Sequence, residues 1–156
     1  MRFLLVDRIE VVEPGARIHG AKYAAMSEDY FEWHFPERPI VPGVLVLEAF
    51  AQLAGWLEAA SSDFKGWFLL ERVQAARWYA FAGPGDRIDL ELVAVDASGE
   101  GRRTYRGEAR VGDVRSAVVE IEGRVVPLED LEDAARARRV FAALRREAPG
   151  PEGGAR

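Results

Sequence analysis

The chain contains no cysteine in its 156 residues. That excludes disulfides, thiolate metal sites and a cysteine nucleophile, and it fits a reducing compartment, so a cytoplasmic location is expected. Histidine is scarce: there are two, His19 and His34, at unrelated positions, and no metal site is expected from them. Long basic runs are absent and the net charge is −5. Nucleic-acid binding is therefore not expected, because neutralising phosphates needs clustered Lys and Arg. The start, MRFLLVDRIEVVE, meets an acid at Asp7 and lacks the apolar core of a signal peptide. The longest apolar segment reads as too short and interrupted to span a bilayer, so no membrane contact is expected. What remains, 49% hydrophobic and 30% charged, is the composition of one soluble globular domain large enough for a real core.

The informative stretch runs from Phe31 to Leu57, FEWHFPERPIVPGVLVLEAFAQLAGWL. His34 is followed by Pro36, Pro39 and Pro42, which fix φ and hold the preceding residues extended, so His34 to Val41 reads as a stiff loop. Gly43 opens a helix expected to reach about Ala60. Its first N–H groups, at Gly43 and Val44, would be unpaired, with no bulky side chain from Pro42 or Gly43 over them. Such an end suits an oxygen that becomes negative during a reaction. The helix is apolar nearly all round, the pattern of a buried helix. Glu48 stands in this wall, where a carboxyl costs free energy unless it is paired, hydrogen-bonded or protonated. Gln52, one turn on, is placed to hydrogen-bond it.

Around this stretch the chain reads as strands. Phe3–Glu13 and Arg17–Ala25 form a hairpin about Glu13-Pro14-Gly15, with His19 structural or solvent-facing and no acid in register. Ser27-Glu28-Asp29 reads as a helix start with a capping hydroxyl. After the long helix, Gly66–Trp78, Arg87–Ala97, Tyr105–Val111 and Val114–Val126 alternate as strands. Ile88, Leu90, Leu92, Val93 and Val95 are taken as the apolar positions of the second of these. Strand, strand, long helix and four strands imply an α+β domain over residues 1–127, a curved antiparallel sheet wrapped around one central helix. Residues 128–147 read as a C-terminal helical extension, with Leu128, Leu131, Ala135, Val140, Phe141 and Leu144 on its apolar face. Residues 148–156 read as a disordered tail.

The series His34-Phe-Pro-Glu-Arg-Pro-Ile-Val-Pro-Gly-Val-Leu-Val-Leu-Glu48-Ala-Phe-Ala-Gln52 resembles the signature of the 3-hydroxyacyl-[acyl carrier protein] dehydratases of the hot-dog fold, the FabZ type. The similarity runs from Phe3 to about Val126. It implies a hydro-lyase of fatty-acid biosynthesis that removes water from a (3R)-hydroxyacyl thioester to give the trans-2-enoyl thioester, without a cofactor. His34 would be the base at C2, Glu48 the acid for the departing hydroxyl, and the N–H groups of Gly43 and Val44 the oxyanion donors, with Gln52 and Pro42 supporting. The resemblance also implies a homodimer in which the histidine of one chain faces the glutamate of its partner, and a trimer of such dimers, a hexamer, as the larger assembly. The substrate carrier would be acyl carrier protein or CoA. Phe31, Trp33, Phe35, Phe50, Trp78 and Phe81 are candidates for the acyl tunnel.

Three departures stand out. Trp33 occupies the place where the family usually has glycine. The family's A-R-F-K/R-R-P…P-G-D becomes Ala76-Arg77-Trp78-Tyr79-Ala80-Phe81-Ala82-Gly83-Pro84-Gly85-Asp86, which keeps Arg77 and the turn but loses the basic pair and its proline. The C-terminal helix is extra. With the basic pair gone, Arg38, Arg72 and Arg77 are the candidates for docking an acidic carrier. Two other readings share the fold: an acyl-thioesterase in which Glu48 activates water, and a non-catalytic subunit that binds acyl chains.

Overall fold

The structure, a computed structural model, describes residues 4–35, 37–96 and 101–146. Pro36, Ala97, Glu147 and the tail expected over 148–156 lie outside the described residues. Strands β1 (Arg8–Glu13) and β2 (Arg17–Tyr23) form the hairpin. A short helix α1 (Tyr30–Trp33) leads into the His34 loop, and the long helix α2 (Gly43–Ser61) follows. Strands β3 (Gly66–Trp78), β4 (Arg87–Asp96), β5 (Arg102–Val111) and β6 (Val114–Pro127) complete a six-stranded sheet in the order β1-β2-β4-β5-β6-β3. Every neighbouring pair is antiparallel. Because α2 contacts all six strands, the sheet wraps it, as the pattern of elements implied.

Side-chain parity sets which face of each strand meets the helix. In β4, Ile88, Leu90 and Leu92 are buried, while the alternate positions Asp89, Glu91 and Val93 are not. Val93 and Val95 were expected to continue the apolar series, yet they share the outward parity of Asp89 and are exposed. From α2, Val46, Ala49, Phe50, Leu53, Ala54 and Leu57 are buried in the same core. Burying a Leu or Phe fully is worth about 1.5–3 kcal/mol. Gly55 permits the closest approach: a methyl group built there would lie 2.3 Å from the Trp67 ring of β3. By length and composition alone α2 could cross a membrane, which corrects the length argument from sequence. Its place in the fold accounts for the apolar face that the sheet buries.

Two local expectations fail. Ser27 does not cap α1; Asp29 occupies the cap position and its side chain makes no capping bond. The single turn of α1 is instead fastened from outside, by Lys22, whose Nζ lies 2.6 Å from Glu28 Oε1 and 3.2 Å from Asp7 Oδ2. The helical region expected over 128–147 is split. A 3₁₀ turn (Leu128–Asp130) is followed by a break and then α3 (Ala134–Arg145). The break has a local cause: Asp133 has extended backbone and its carboxylate accepts a 2.7 Å bond from Arg136 N, starting a new helix there. Leu131, left in the break, is exposed. Phe141 of α3 packs on Trp56 and Phe64, and Arg138 lies over the Phe64 ring while pairing with Asp63 at 2.9 Å.

Candidate active site

His34 sits just past the end of α1, where its backbone N–H donates to Tyr30 O at 2.9 Å. The next residue, Phe35, has φ +56°, a left-handed conformation that costs a non-glycine residue about 1 kcal/mol or more. That turn brings the His34 and Phe35 rings edge to face at 4.6 Å. The far end of the loop is held by Val41 N, which donates to Ala82 O at 2.8 Å. His34 is half-buried, and its imidazole has no hydrogen-bond partner among the described residues. An imidazole without a partner in the fold is free to exchange a proton with a ligand.

Opposite the loop, α2 begins with Pro42 as its cap residue. Leu45 N and Val46 N both bond to Pro42 O, at 2.9 and 3.4 Å. The N–H groups of Gly43 and Val44 have no acceptor among the described residues. Gly43, Val44 and His34 line one open cavity of ≈ 310 Å³, together with Ile40, Val41, Val46, Trp78, Ala80, Phe81, Ala82 and Ser116. The walls are mostly apolar; the polar groups among the lining residues are the N–H groups of Gly43 and Val44, the His34 imidazole, the Trp78 indole N–H and the Ser116 hydroxyl.

Of the tunnel candidates, Phe35, Trp78 and Phe81 line this cavity. Phe31 and Phe50 do not: both are buried core residues, Phe50 with no exposed surface at all. Trp33 is 82% exposed and is absent from the cavity lining, so it does not narrow the site within its own chain.

Glu48 departs from expectation more sharply. It is exposed rather than enclosed in an apolar wall, and it does not line the cavity with His34. The helix is apolar on two faces, and its own sheet covers only one. On the uncovered side Val44 is 68% exposed and Leu45 and Leu47 are only half-buried. Gln52 does hold Glu48, donating from Nε2 to Oε1 at 3.0 Å while its own Oε1 accepts from Leu5 N at 3.0 Å. Arg38, Arg72 and Arg77 are all exposed and make no ion pair with a described residue.

Several features have no local signature in the sequence. Ser116 is buried in the cavity wall; its hydroxyl donates to Ala80 O at 3.0 Å and its carbonyl accepts from Tyr79 N at 2.8 Å. A lone serine in an alternating strand carries no signal of that role. The acid that α2 does bury is Glu58, one residue past the stretch singled out above. It accepts from Arg103 Nε at 2.9 Å and from the Tyr105 hydroxyl. His19, expected to have no acid in register, has its Nδ1 3.2 Å from Glu10 and its Nε2 3.7 Å from Asp89. These acids come from the two strands flanking β2. Glu10, His19 and Asp89 could converge on a metal ion, but the Arg87 guanidinium already bonds both carboxylates, at 2.8 and 2.7 Å.

Tyr30 supplies a local test. Its hydroxyl is buried without a partner among the described residues, and burial, with the nearby charges of Glu28 and Asp7, pushes it up to about 12. A buried hydroxyl without a hydrogen bond costs about 1–3 kcal/mol. Tyr30→Phe is therefore expected to unfold at the same or a higher temperature than wild type. A clear drop in thermal midpoint would show that the hydroxyl is satisfied in solution.

The FabA-like domain family matches residues 1–127. Proteins named 3-hydroxyacyl-[acyl-carrier-protein] dehydratase FabZ are similar over most of the chain. That of Caldanaerobacter subterraneus is 40% identical, covering 76% of this chain and 84% of its own length. That of Clostridium acetobutylicum is 40% identical over 69% of this chain and 81% of its own. Among solved structures, smu.793 from Streptococcus mutans, bound to acetyl CoA, superposes with a TM-score of 0.63 at 11% identity, over 81% of this chain and 94% of that one. The dehydratase heterocomplex ApeI:P from Xenorhabdus doucetiae gives 0.53 at 18% identity, over 70% and 88%. At these identities the structural likenesses speak for the fold, a hot-dog fold, and for nothing finer.

Proposed function

The chain belongs to the FabA-like family, as a FabZ-like member, and from that premise we propose that its cavity carries out the reversible dehydration of 3-hydroxyacyl thioesters in fatty-acid biosynthesis, with His34 as base and Glu48 as acid. It is thus a hydro-lyase, and acyl carrier protein is the thioester carrier implied by its relatives. The observation that carries the site assignment is the cavity itself: His34, whose imidazole has no partner among the described residues, lines it together with Gly43 and Val44, whose N–H groups open α2 without an acceptor.

The steps follow from that placement. His34 takes a proton from C2 of the bound thioester. Charge moves onto the thioester oxygen, where the N–H groups of Gly43 and Val44 stabilise it; losing one such donor typically costs about 3 kcal/mol of barrier. The C2–C3 double bond forms as the C3 hydroxyl leaves with a proton from Glu48, as water. His34 is left protonated and Glu48 ionised, and exchange with solvent resets both.

Because Glu48 does not reach the cavity of its own chain, the acid would come from a second copy. The uncovered face of α2 and the edge strand β3, exposed through most of Glu71–Trp78, are the surfaces that favour such a homodimer. Burial there would also supply the apolar enclosure that Glu48 lacks in one chain. A cytoplasmic location completes the reading and fits a chain without cysteine.

The test is a spectrophotometric assay of crotonyl and longer enoyl thioesters, presented on CoA and on acyl carrier protein, with free thiol followed in parallel. Loss of enoyl absorbance without thiol release is expected. Thiol release with no change at the double bond would overturn the proposal in favour of a thioesterase. Binding without either signal would point to a non-catalytic subunit.

A further inference from the structure

We infer that the Trp78 indole N–H is a third donor to the thioester oxygen, acting beside the N–H groups of Gly43 and Val44; this deepens the dehydratase reading and rests on it. Trp78 ends β3, paired with Ala117 of β6. Its ring lies directly against the first residue of α2. A methyl group built on Gly43 would sit 2.6 Å from Trp78 Nε1, 2.8 Å from Cε2 and 3.1 Å from Cδ1. The pyrrole edge, with its N–H, is thus the part of the indole nearest the helix start. Only glycine leaves room for it there.

Standard geometry puts a residue's Cβ position about 2.5 Å from its amide nitrogen, so Nε1 is no farther than about 5.1 Å from Gly43 N. One oxygen can then sit about 2.9 Å from both nitrogens. Trp78 and Gly43 line the cavity that holds His34, so such an oxygen would belong to a ligand facing the base. Trp78 Nε1 has no acceptor among the described residues, and the ring is 46% exposed, open on the cavity side. The indole is already packed on the helix, so little ordering is needed when the substrate arrives.

The sequence adds an independent point. At this position the resembling motif has phenylalanine, which fills similar space but donates nothing, whereas tryptophan adds a single donor. The substitution keeps the wall of the cavity and changes what the wall can do to a developing negative charge. It also follows that the chain depends less on its two backbone donors alone.

The test is Trp78→Phe, which keeps an aromatic ring and removes the N–H. With 3-hydroxyacyl thioester on the carrier that wild type prefers, kcat is expected to fall roughly tenfold while KM stays within about threefold. A second measurement separates donation from shape. Binding of a saturated acyl thioester is compared with that of the matching S-alkyl thioether, which lacks the carbonyl. Wild type should favour the thioester, and Trp78→Phe should lose part of that preference, the two backbone donors keeping the rest. Unchanged kcat in Trp78→Phe overturns the inference and leaves the dehydratase reading standing. A fall in kcat with an unchanged thioester-to-thioether ratio also overturns it, since ring shape would then account for the loss. A wild type that turns over no 3-hydroxyacyl thioester overturns the dehydratase reading and this inference together.

Discussion

Mixing His34→Ala protein with Glu48→Gln protein is expected to restore an activity that neither has alone. Each variant by itself should lose at least about a hundredfold in kcat, the usual scale for removing a general acid or base. The reason for expecting recovery is geometric. His34 lines the cavity at the start of α2, while Glu48 stands exposed on the face of α2 that its own sheet leaves bare. If the site is completed across a dimer axis, a mixed dimer holds one site with both groups intact and one with neither. Random exchange makes about half of the dimers mixed, so about a quarter of the wild-type sites should reappear. Subunits are exchanged by mild denaturation and refolding, and enoyl hydration is measured before and after. Activity that stays at the level of the separate variants would place both groups within one chain and sink the shared site. Gln52 grips both Glu48 and Leu5 N, so the carboxyl is expected to keep its position through such an exchange.

The second large effect is on stability. Glu58→Ala is expected to cost about 3–5 kcal/mol, because it strands the Arg103 guanidinium and the buried Tyr105 hydroxyl that it now pairs. Denaturant unfolding measures this, and a cost below about 1 kcal/mol would show that water replaces the carboxylate freely. The lesion should spare catalysis in whatever fraction folds. Glu58 lies fifteen residues along α2 from Gly43, about 22 Å at 1.5 Å per residue. The same network sets an alkaline limit. Burial first, then the hydrogen bond to Glu58 and its charge, pushes the Tyr105 hydroxyl well above its usual value. Folding thus favours the neutral phenol. That stability is complete below about pH 10, where an unfolded tyrosine titrates, and is lost as pH rises beyond it. Tyr30, pushed up to about 12, adds a loss of the same sign. Tyr105→Phe should flatten this decline in a plot of stability against pH, and an unchanged slope would refute the assignment.

Much of the fold was legible because its signals are local. The alternation in β4, the glycine and proline turns and the proline-free apolar run of α2 each bias nearby backbone, and the hairpin, the long helix and the four later strands lie close to where those biases put them. The same local logic misled where a neighbour mattered. The region after Pro127 has helical composition throughout, but Asp133 caps a fresh helix and divides it. His19 looked unpaired because its acids stand on flanking strands, at sequence distances that no local pattern spans.

The site divides in a similar way. The sequence by itself determined the residue types and their order: a histidine in a stiff loop, an uncovered helix start at the far end of that loop, and a carboxyl a turn and a half along that helix. It determined these because proline, glycine and the helical period act over a few residues. Only the tertiary structure decided which of them meet. It joined His34 to Gly43 and Val44 in one cavity, because Val41 is pinned to Ala82 and the loop is thereby laid across the helix start. It laid the Trp78 edge on Gly43, and it turned Glu48 out of the core while burying Glu58. Both acids sit on one apolar helix and look alike in sequence. The sheet encloses the side of α2 that carries Glu58 and leaves open the side that carries Glu48, and burial on that scale is a property of packed surfaces rather than of neighbouring residues.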